Sequence, residues 1–296
     1  MPASPSLLDR PMILLATVGF FLAGIVMISK AAAVSGVAPL DLALAGNLGA
    51  GAVLLTWTSL KRDLPPRAPR YLLLYLAMGF VSFAFPNAMT FTVVEHAGPA
   101  YTATVYALSP LLTFALALML RADQVTLLRA LGLLIGLTGT VILIWRLAID
   151  SVQGELFWLL LGLTIPASTA CGNIIRSRFW PAGTSPLAFS SVTLIASVFL
   201  LLALIVTTQE SPLLKIRGVE QLFWVAALTI NACFFYVLLF RLQVVAGPVY
   251  LSQVGYWSTG FGILMAAILF GDVIPPASAV GIALIIAGAA LTNRRR

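Results

Sequence analysis

Residues 97–101 read Ala-Gly-Pro-Ala-Tyr and residues 246–250 read Ala-Gly-Pro-Val-Tyr, 149 positions later in a chain of 296 residues. The same offset aligns four further pairs: Ser109 with Ser258, Asp123 with Asp272, Gly132 with Gly281, and Gly139 with Gly288. Nearer the start of each half the offset is slightly smaller, so that Gly24-x4-Ser29-Lys30 aligns with Gly172-x4-Ser177-Arg178, and Pro39-Leu40 with Pro186-Leu187. An ungapped register of this length predicts an internal repeat, with residues 1–149 as the first copy and 150–296 as the second.

The composition around this motif is that of a membrane protein. Hydrophobic residues make up 60% of the chain and charged residues only 9%, whereas a soluble domain is about a quarter charged. An ordinary soluble enzyme and a disordered chain are both excluded. The net charge of +7 does not indicate a nucleic-acid partner, because no basic segment alternates with aromatic residues.

Apolar runs of about 20 residues, the length that crosses the hydrocarbon core, recur along the whole chain. The run after Arg10 ends near Ala31-Ala32-Ala33 and resembles a signal peptide, but it exceeds the usual length of such an apolar region, so we retain it. We therefore predict an all-α membrane protein with ten transmembrane helices, near 11–31, 41–60, 71–94, 99–120, 125–146, 156–176, 185–208, 220–241, 248–271 and 274–292.

The number of helices in each copy determines how the two copies are oriented. Five is odd, so the second copy enters the membrane from the opposite side. The pattern predicts two inverted-topology five-helix repeats around a central cavity, the architecture of transporters that alternate access between the two sides of the membrane.

The distribution of Lys and Arg predicts the orientation of the chain. With a cytoplasmic N-terminus, thirteen of the seventeen Lys and Arg residues fall inside and four outside. We expect a multi-pass protein of the cell inner (plasma) membrane with both termini in the cytoplasm. One chain already supplies both halves of the repeat, so a monomer in the lipid bilayer is expected.

The Gly-Pro-x-Tyr motifs, the acidic residues Asp123 and Asp272, and the Gly-x6-Gly spacing that follows them resemble the EamA domain of the drug/metabolite transporter superfamily. The resemblance implies a tandem of two five-helix domains and export of amino acids or other metabolites. The chain looks most like the bacterial branch that includes aromatic amino acid exporters. It departs from the family pattern in carrying Asp where Glu is usual, and Asn47 near a position in the second span that is often basic.

Charged residues are sparse within the predicted spans, where a charge is costly and is usually retained for function. The sequence places Arg176, Arg178 and Arg241 at the inner membrane surface, and Glu95 with His96 in a hydrated loop. We therefore expect no buried proton-coupling carboxylate and no fixed cation for a phosphorylated substrate. This predicts a carrier of small neutral or zwitterionic metabolites, driven by the substrate gradient.

Polar and aromatic residues within the spans are the candidates for the substrate site. Tyr250, Gln253 and Trp257 recur at i, i+3 and i+7 and share one helical face, which suits an amino acid with an apolar or aromatic side chain. Pro86 breaks the third span beside two further candidates, Asn87 and Phe83. The remaining candidates are Tyr101, Asn173, Asn231 and Tyr236. For each, packing between helices or anchoring at the interface is the alternative role.

Other functional classes fit the sequence less well. An enzyme would need a nucleophile, a metal cluster or paired acids at membrane depth, and the chain has one His and two Cys, Cys171 and Cys233, in apolar runs. No metal and no cofactor is expected. The alternatives that remain open are a drug or other metabolite exporter, or a nucleotide-sugar antiporter of the same superfamily.

Overall fold

The computed structural model describes residues 11–120, 127–151, 156–208, 216–271 and 276–293. Arg10, Asp123 and Asp272 lie outside the described residues. The described part contains ten helices: α1 Pro11–Val34, α2 Pro39–Leu60, α3 Pro69–Ala97, α4 Pro99–Met119, α5 Leu127–Ser151, α6 Leu156–Phe179, α7 Pro186–Thr208, α8 Val219–Ser252, α9 Val254–Phe270 and α10 Pro276–Asn293.

Most of these helices are long and apolar enough to cross a membrane. Seven meet both criteria, and three shorter apolar helical stretches lie at Ala130–Leu143, Val254–Phe270 and Ala279–Gly288. Large apolar side chains on the outside are strongly exposed, with Ile268 at 80% and Leu73 at 75%. Such surfaces are stable in contact with lipid rather than water, so this is a multi-pass helical membrane protein.

The repeated Gly-Pro pair forms the same backbone turn in both halves. Gly98 has φ 81° and ψ 164°, and Gly247 has φ 80° and ψ 175°, a region that is essentially restricted to glycine. The proline that follows has no N–H to donate and is therefore well tolerated at the start of a helix. The motif thus ends α3 and begins α4, and it interrupts α8 at the equivalent point.

Three prolines distort the helices that contain them. A proline cannot donate to the carbonyl group four residues earlier, and each distortion includes or directly follows that earlier residue. Before Pro86, α3 widens into a π-helical turn at Phe80–Ala84, and before Pro110, α4 tightens into a 3-10 turn at Tyr106–Leu108. Before Pro166, α6 is interrupted at Leu163, between Gly162 and Thr164. The predicted break at Pro86 is confirmed as a π-helical turn.

The most extensive contacts between helices are preserved when each helix of α1–α5 is exchanged with its counterpart in α6–α10. Three helices pack against their own counterparts, in the pairs α2 with α7, α4 with α9, and α5 with α10. Other extensive contacts occur in exchanged sets: α1 with α8 and α6 with α3, α1 with α9 and α6 with α4, and α2 with α8 and α7 with α3.

The helices that pack against their own counterparts run antiparallel. On α5 and α10, a Cβ at Gly139 would lie 2.5 Å from the Gly281 carbonyl oxygen, and one at Gly288 would meet the Gly132 carbonyl. Residue numbers therefore increase along α5 in the direction in which they decrease along α10. The offset of 149 relates Gly139 to Gly288 and Gly132 to Gly281, so it converts one contact into the other. These glycines allow the two backbones to approach closely, as small residues do between membrane helices.

Candidate functional site

A cavity of about 70 Å³ lies between α1, α3, α4, α6, α8 and α9. Its polar wall residues are Ser82, Asn87, Tyr106, Ser109, Thr169, Asn173, Arg176, Tyr236 and Ser252. Its apolar ones are Leu22, Ile25, Pro86, Phe235, Leu239, Leu251, Val254 and Gly255. Both halves of the chain contribute through equivalent helices, since α1, α3 and α4 correspond to α6, α8 and α9.

Equivalent positions of the two halves touch each other at this cavity. Asn87 Nδ2 donates a hydrogen bond to Tyr236 Oη at 2.8 Å, and the two residues are 149 positions apart. The same offset separates Tyr106 from Gly255, where a Cβ would collide with the Tyr106 carbonyl oxygen. All four residues line the cavity, so it lies where the two halves meet at matching points.

A chain of neutral amides extends from the cavity into the helix bundle. Asn87 Nδ2 also donates to Asn47 Oδ1 at 2.8 Å, and Asn47 Nδ2 donates to Ser197 Oγ at 2.9 Å. These bonds join α2, α3, α7 and α8. Asn47, the residue near the position at which similar proteins often carry a basic residue, is thus held by two hydrogen bonds to neutral side chains.

Arg176 is the charged residue of the cavity, and the expectation that no fixed cation would be found there is wrong. Its side chain is 2% exposed. Nε donates to Gln243 Oε1 at 2.9 Å, and Nη2 donates to Asn173 Oδ1 at 2.7 Å. The guanidinium carbon lies 4.6 Å from the centroid of the Phe240 ring. Arg178, two residues later on the same helix, is exposed, as the sequence predicted.

The sequence does contain a signal for this site. Thr169, Asn173 and Arg176 recur at i, i+4 and i+7, which places them on one face of α6. Gln243 braces this face from α8, because its Nε2 donates to the Asn173 carbonyl oxygen at 3.0 Å. Within the described part of the chain, no Asp or Glu lines the cavity, so the charge of Arg176 is held by neutral partners.

The structure brings three of the predicted site residues together at the cavity: Asn87, Asn173 and Tyr236. Phe83 lies beside them without lining the space. It is fully buried, with its ring 4.8 Å from that of Tyr236 in an edge-on arrangement and 6.0 Å from that of Phe240. Phe83 therefore supports the aromatic side of the site.

The other five predicted residues do not line the cavity. Tyr101 Oη donates to the Leu159 carbonyl oxygen at 2.5 Å, and Asn231 Nδ2 donates to the Phe21 carbonyl oxygen at 2.8 Å. Tyr250 is half-buried and lies two residues after Pro248 in α8. These bonds connect helices, and a substrate role for these residues stays a prediction.

The polar face predicted on the ninth span packs mainly against α1. The Trp257 side chain lies against Gly19 and stacks on Phe261 at 6.0 Å. Gln253, at the junction between α8 and α9, is 1% exposed, and its Oε1 has no hydrogen-bond partner among the described residues. That Tyr250, Gln253 and Trp257 form one substrate-facing surface stays a prediction.

Four other reactive side chains do not line the cavity: Glu95, His96, Cys171 and Cys233. Glu95 and His96 are exposed at the end of α3, as expected for a hydrated pair, and the His96 ring stacks on Trp158 at 3.8 Å. Cys171 and Cys233 are half-buried free thiols. A search of the described residues finds no group of three or more His, Cys, Asp or Glu that could hold a metal ion.

Comparison with known proteins agrees with this architecture. No curated protein matches the sequence. A solved crystal structure superimposes with a TM-score of 0.72 over 96% of this chain and 96% of its own, at 18% identity, which shows a shared fold. Residues 10–145 match the EamA-like transporter family. The first half of this multi-pass membrane protein is therefore similar to an EamA-like transporter domain.

Proposed function

We propose that the protein is a secondary transporter that binds a small molecule in the cavity and exposes it alternately to the two sides of the membrane. The observation that carries this proposal is the meeting of equivalent positions at the cavity, Asn87 with Tyr236 and Tyr106 with Gly255. A site on the axis between two related halves is where alternating-access transporters bind substrate. The EamA-like domain in residues 10–145 supports the same class of function.

The proposal includes two inverted-topology repeats, residues 1–149 and 150–296, that rock against each other. The antiparallel packing of α5 against α10 and the exchangeable set of helix contacts support it. So does the identical turn at Gly98 and Gly247. The cavity of about 70 Å³ has room for roughly five waters at about 15 Å³ each. A metabolite therefore requires the halves to separate on one side, which is the motion that rocking provides.

The proposed substrates are amino acids with apolar or aromatic side chains. The α-carboxylate would pair with Arg176, because guanidinium and carboxylate groups match in geometry and charge. Leu22, Ile25 and Leu251 supply apolar surface for the side chain. A drug-like substrate would use the same apolar surface. Arg176 also favours a second candidate, antiport of a phosphorylated metabolite such as a nucleotide sugar. The sequence analysis expected no cation at the cavity, and Arg176 lines it.

The proposed direction is export across the cell inner membrane, with both termini in the cytoplasm. The excess of Lys and Arg in the segments assigned to the inside supports this orientation. The monomer is the proposed working unit, because one chain supplies both halves of the cavity. The substrate gradient is the proposed energy source, since no acidic side chain in the described part of the chain lines the cavity.

Uptake into liposomes that contain the purified protein tests the proposal. We expect saturable uptake of radiolabelled phenylalanine and leucine, lower uptake of threonine, and no effect of an imposed pH gradient. Protein-free liposomes are the control for leakage through the bilayer. Uptake of a nucleotide sugar with none of the three amino acids would favour the second candidate, and uptake that strictly requires a pH gradient would contradict the proposed energy source.

A further inference from the structure

The two repeat-related walls of the cavity differ in charge. On α6 the face toward the cavity carries Thr169, Asn173 and Arg176. The offset of 148 that aligns Gly24 with Gly172 gives the equivalents on α1, which are Phe21, Ile25 and Ile28. Of these three, Ile25 lines the cavity, together with Leu22 on the same helix. One wall is therefore cationic and polar where its counterpart is apolar, and a molecule lying between them experiences two different surfaces.

The guanidinium group of Arg176 has more N–H donors than the described protein acceptors use. An arginine side chain carries five N–H donors, and protein acceptors in the described part of the chain take two of them, Gln243 Oε1 and Asn173 Oδ1. Neither acceptor carries a charge. Buried charges in proteins are ordinarily paired with an opposite charge, and among the described residues the partners of Arg176 are neutral.

We infer that the substrate supplies the opposite charge as a single carboxylate, and that the preferred substrate is an amphipathic organic monoanion rather than a zwitterion. The inference rests on the proposed transport function and departs from its substrate class, because it ranks an amino acid below a monoanion of the same shape. An ammonium group would enter the field of Arg176 with no carboxylate on the cavity wall, among the described residues, to pair with it. The neutral oxygens present, such as Ser109 Oγ, accept a hydrogen bond without providing opposing charge.

The same reasoning favours a carboxylate over a phosphate group. A phosphate monoester carries about −1.5 to −2 charges at neutral pH, and Arg176 is the one cation that lines the cavity within the described residues. A carboxylate balances that charge and leaves no excess to desolvate. The apolar remainder of the molecule then lies against Leu22 and Ile25 on the opposite wall.

Isothermal titration of the purified protein in detergent with three molecules of nearly the same shape tests this inference. They are 3-phenyllactate, which is anionic; phenylalanine, which is zwitterionic; and phenylalaninol, which is cationic. We expect 3-phenyllactate to bind about 10-fold more tightly than phenylalanine, because charge placed wrongly in a desolvated site is penalised strongly. Phenylalaninol is expected to show no measurable binding.

Substitution of the cation provides the second measurement. Arg176→Gln is expected to weaken 3-phenyllactate binding by about 30-fold or more and to abolish the preference among the three molecules. Arg176→Lys keeps the charge and is expected to keep the order of affinities. Arg178→Gln removes the same charge from an exposed position on the same helix and is expected to change nothing. Thermal unfolding of each variant in detergent confirms that it is folded.

The outcomes separate the inference from the proposed function. Equal or tighter binding of phenylalanine overturns the inference while leaving an amino acid transporter intact. Tighter binding of phenyl phosphate than of 3-phenyllactate also overturns it, in favour of phosphorylated substrates. If none of these molecules binds and the liposomes take up no amino acid, both proposals fail.

Discussion

Helices α1 and α6 occupy equivalent places in the two halves; they share a packing contact and differ on the face toward the cavity. Their packing contacts match: a Cβ at Gly24 would lie 2.7 Å from Asn231 Oδ1, and one at Gly172 would collide with Ser82 Oγ. The offset of 148 relates the two glycines, and the offset of 149 relates Asn231 to Ser82. This packing contact has therefore remained equivalent in the two halves.

The cavity-facing positions of the same two helices have diverged. Ile25 on α1 corresponds to Asn173 on α6, and both line the cavity. Packing between helices requires small residues at fixed points, and this requirement applies equally to both halves. A cavity wall touches the ligand instead of a neighbouring helix, so its side chains can differ without disturbing the fold. The comparison teaches that specificity here resides in the differences between the repeats.

Replacing Asn173 on α6 by isoleucine, the residue at the equivalent position of α1, should have the largest effect on ligand affinity. Asn173→Ile removes the acceptor for Arg176 Nη2, a bond of 2.7 Å. Hydrogen bonds to charged groups contribute about 1.5–3 kcal/mol, so the affinity for 3-phenyllactate should fall by about 10-fold or more in a calorimetric titration. Ser177→Ile adds the same side chain at an exposed position of α6 and serves as the control. Unchanged affinity in Asn173→Ile would mean that the polar wall does not position Arg176.

The equivalence of the two halves can be tested at the repeated turn. Gly98→Ala and Gly247→Ala should each lower the free energy of unfolding by about 1–3 kcal/mol, because alanine is strained at φ 81° and φ 80°. No neighbouring atom lies within 4 Å of a Cβ at either site, so the cost comes from the backbone alone. Thermal unfolding in detergent measures it.

Gly260→Ala is the matched control for this pair. A Cβ at Gly260 also meets nothing within 4 Å, but the residue has ordinary helical geometry. Alanine favours a helix over glycine by about 1 kcal/mol, so stability should be unchanged or slightly raised. A loss confined to one of the two turns would show that the halves carry unequal strain.

The apolar wall should give the smallest effect. Ile25→Val removes one methylene group, which is worth about 0.8 kcal/mol when buried. Binding of 3-phenyllactate should weaken by about 4-fold, and binding of lactate, which lacks the phenyl group, should not change. Ile28→Val is the control, because it deletes the same group from a half-buried position that does not line the cavity. Equal weakening for lactate would contradict contact between Ile25 and the apolar body of the ligand.

The sequence predicted the backbone of this molecule better than its site. Gly-Pro pairs and prolines within helices act locally, through a restricted φ and a missing donor, so the turns at Gly98 and Gly247 and the break at Pro86 were predictable. Apolar runs likewise indicated the helices. These features depend on neighbours in the chain and on no tertiary contact.

The environment of individual side chains was not predictable in the same way. Arg176 lies one turn from the end of α6, where position along the helix predicts the membrane surface. Whether it faces lipid, water or the cavity depends on α8, which supplies Gln243 and Phe240. For Trp257 the periodicity identified a face, but in a membrane an apolar face can contact lipid or another helix equally well. The partner of that face, Gly19 on α1, is distant in sequence.

The contact between Asn87 and Tyr236 has a consequence for how such a molecule can diversify. If the two halves were separate copies of one chain, a two-fold interface would place identical residues opposite each other at any position that touches its own counterpart. An amide facing a phenol, or Tyr106 facing Gly255, is not available to such a dimer. Covalent joining of the halves removes this symmetry requirement and allows the centre of the molecule to become chemically two-sided.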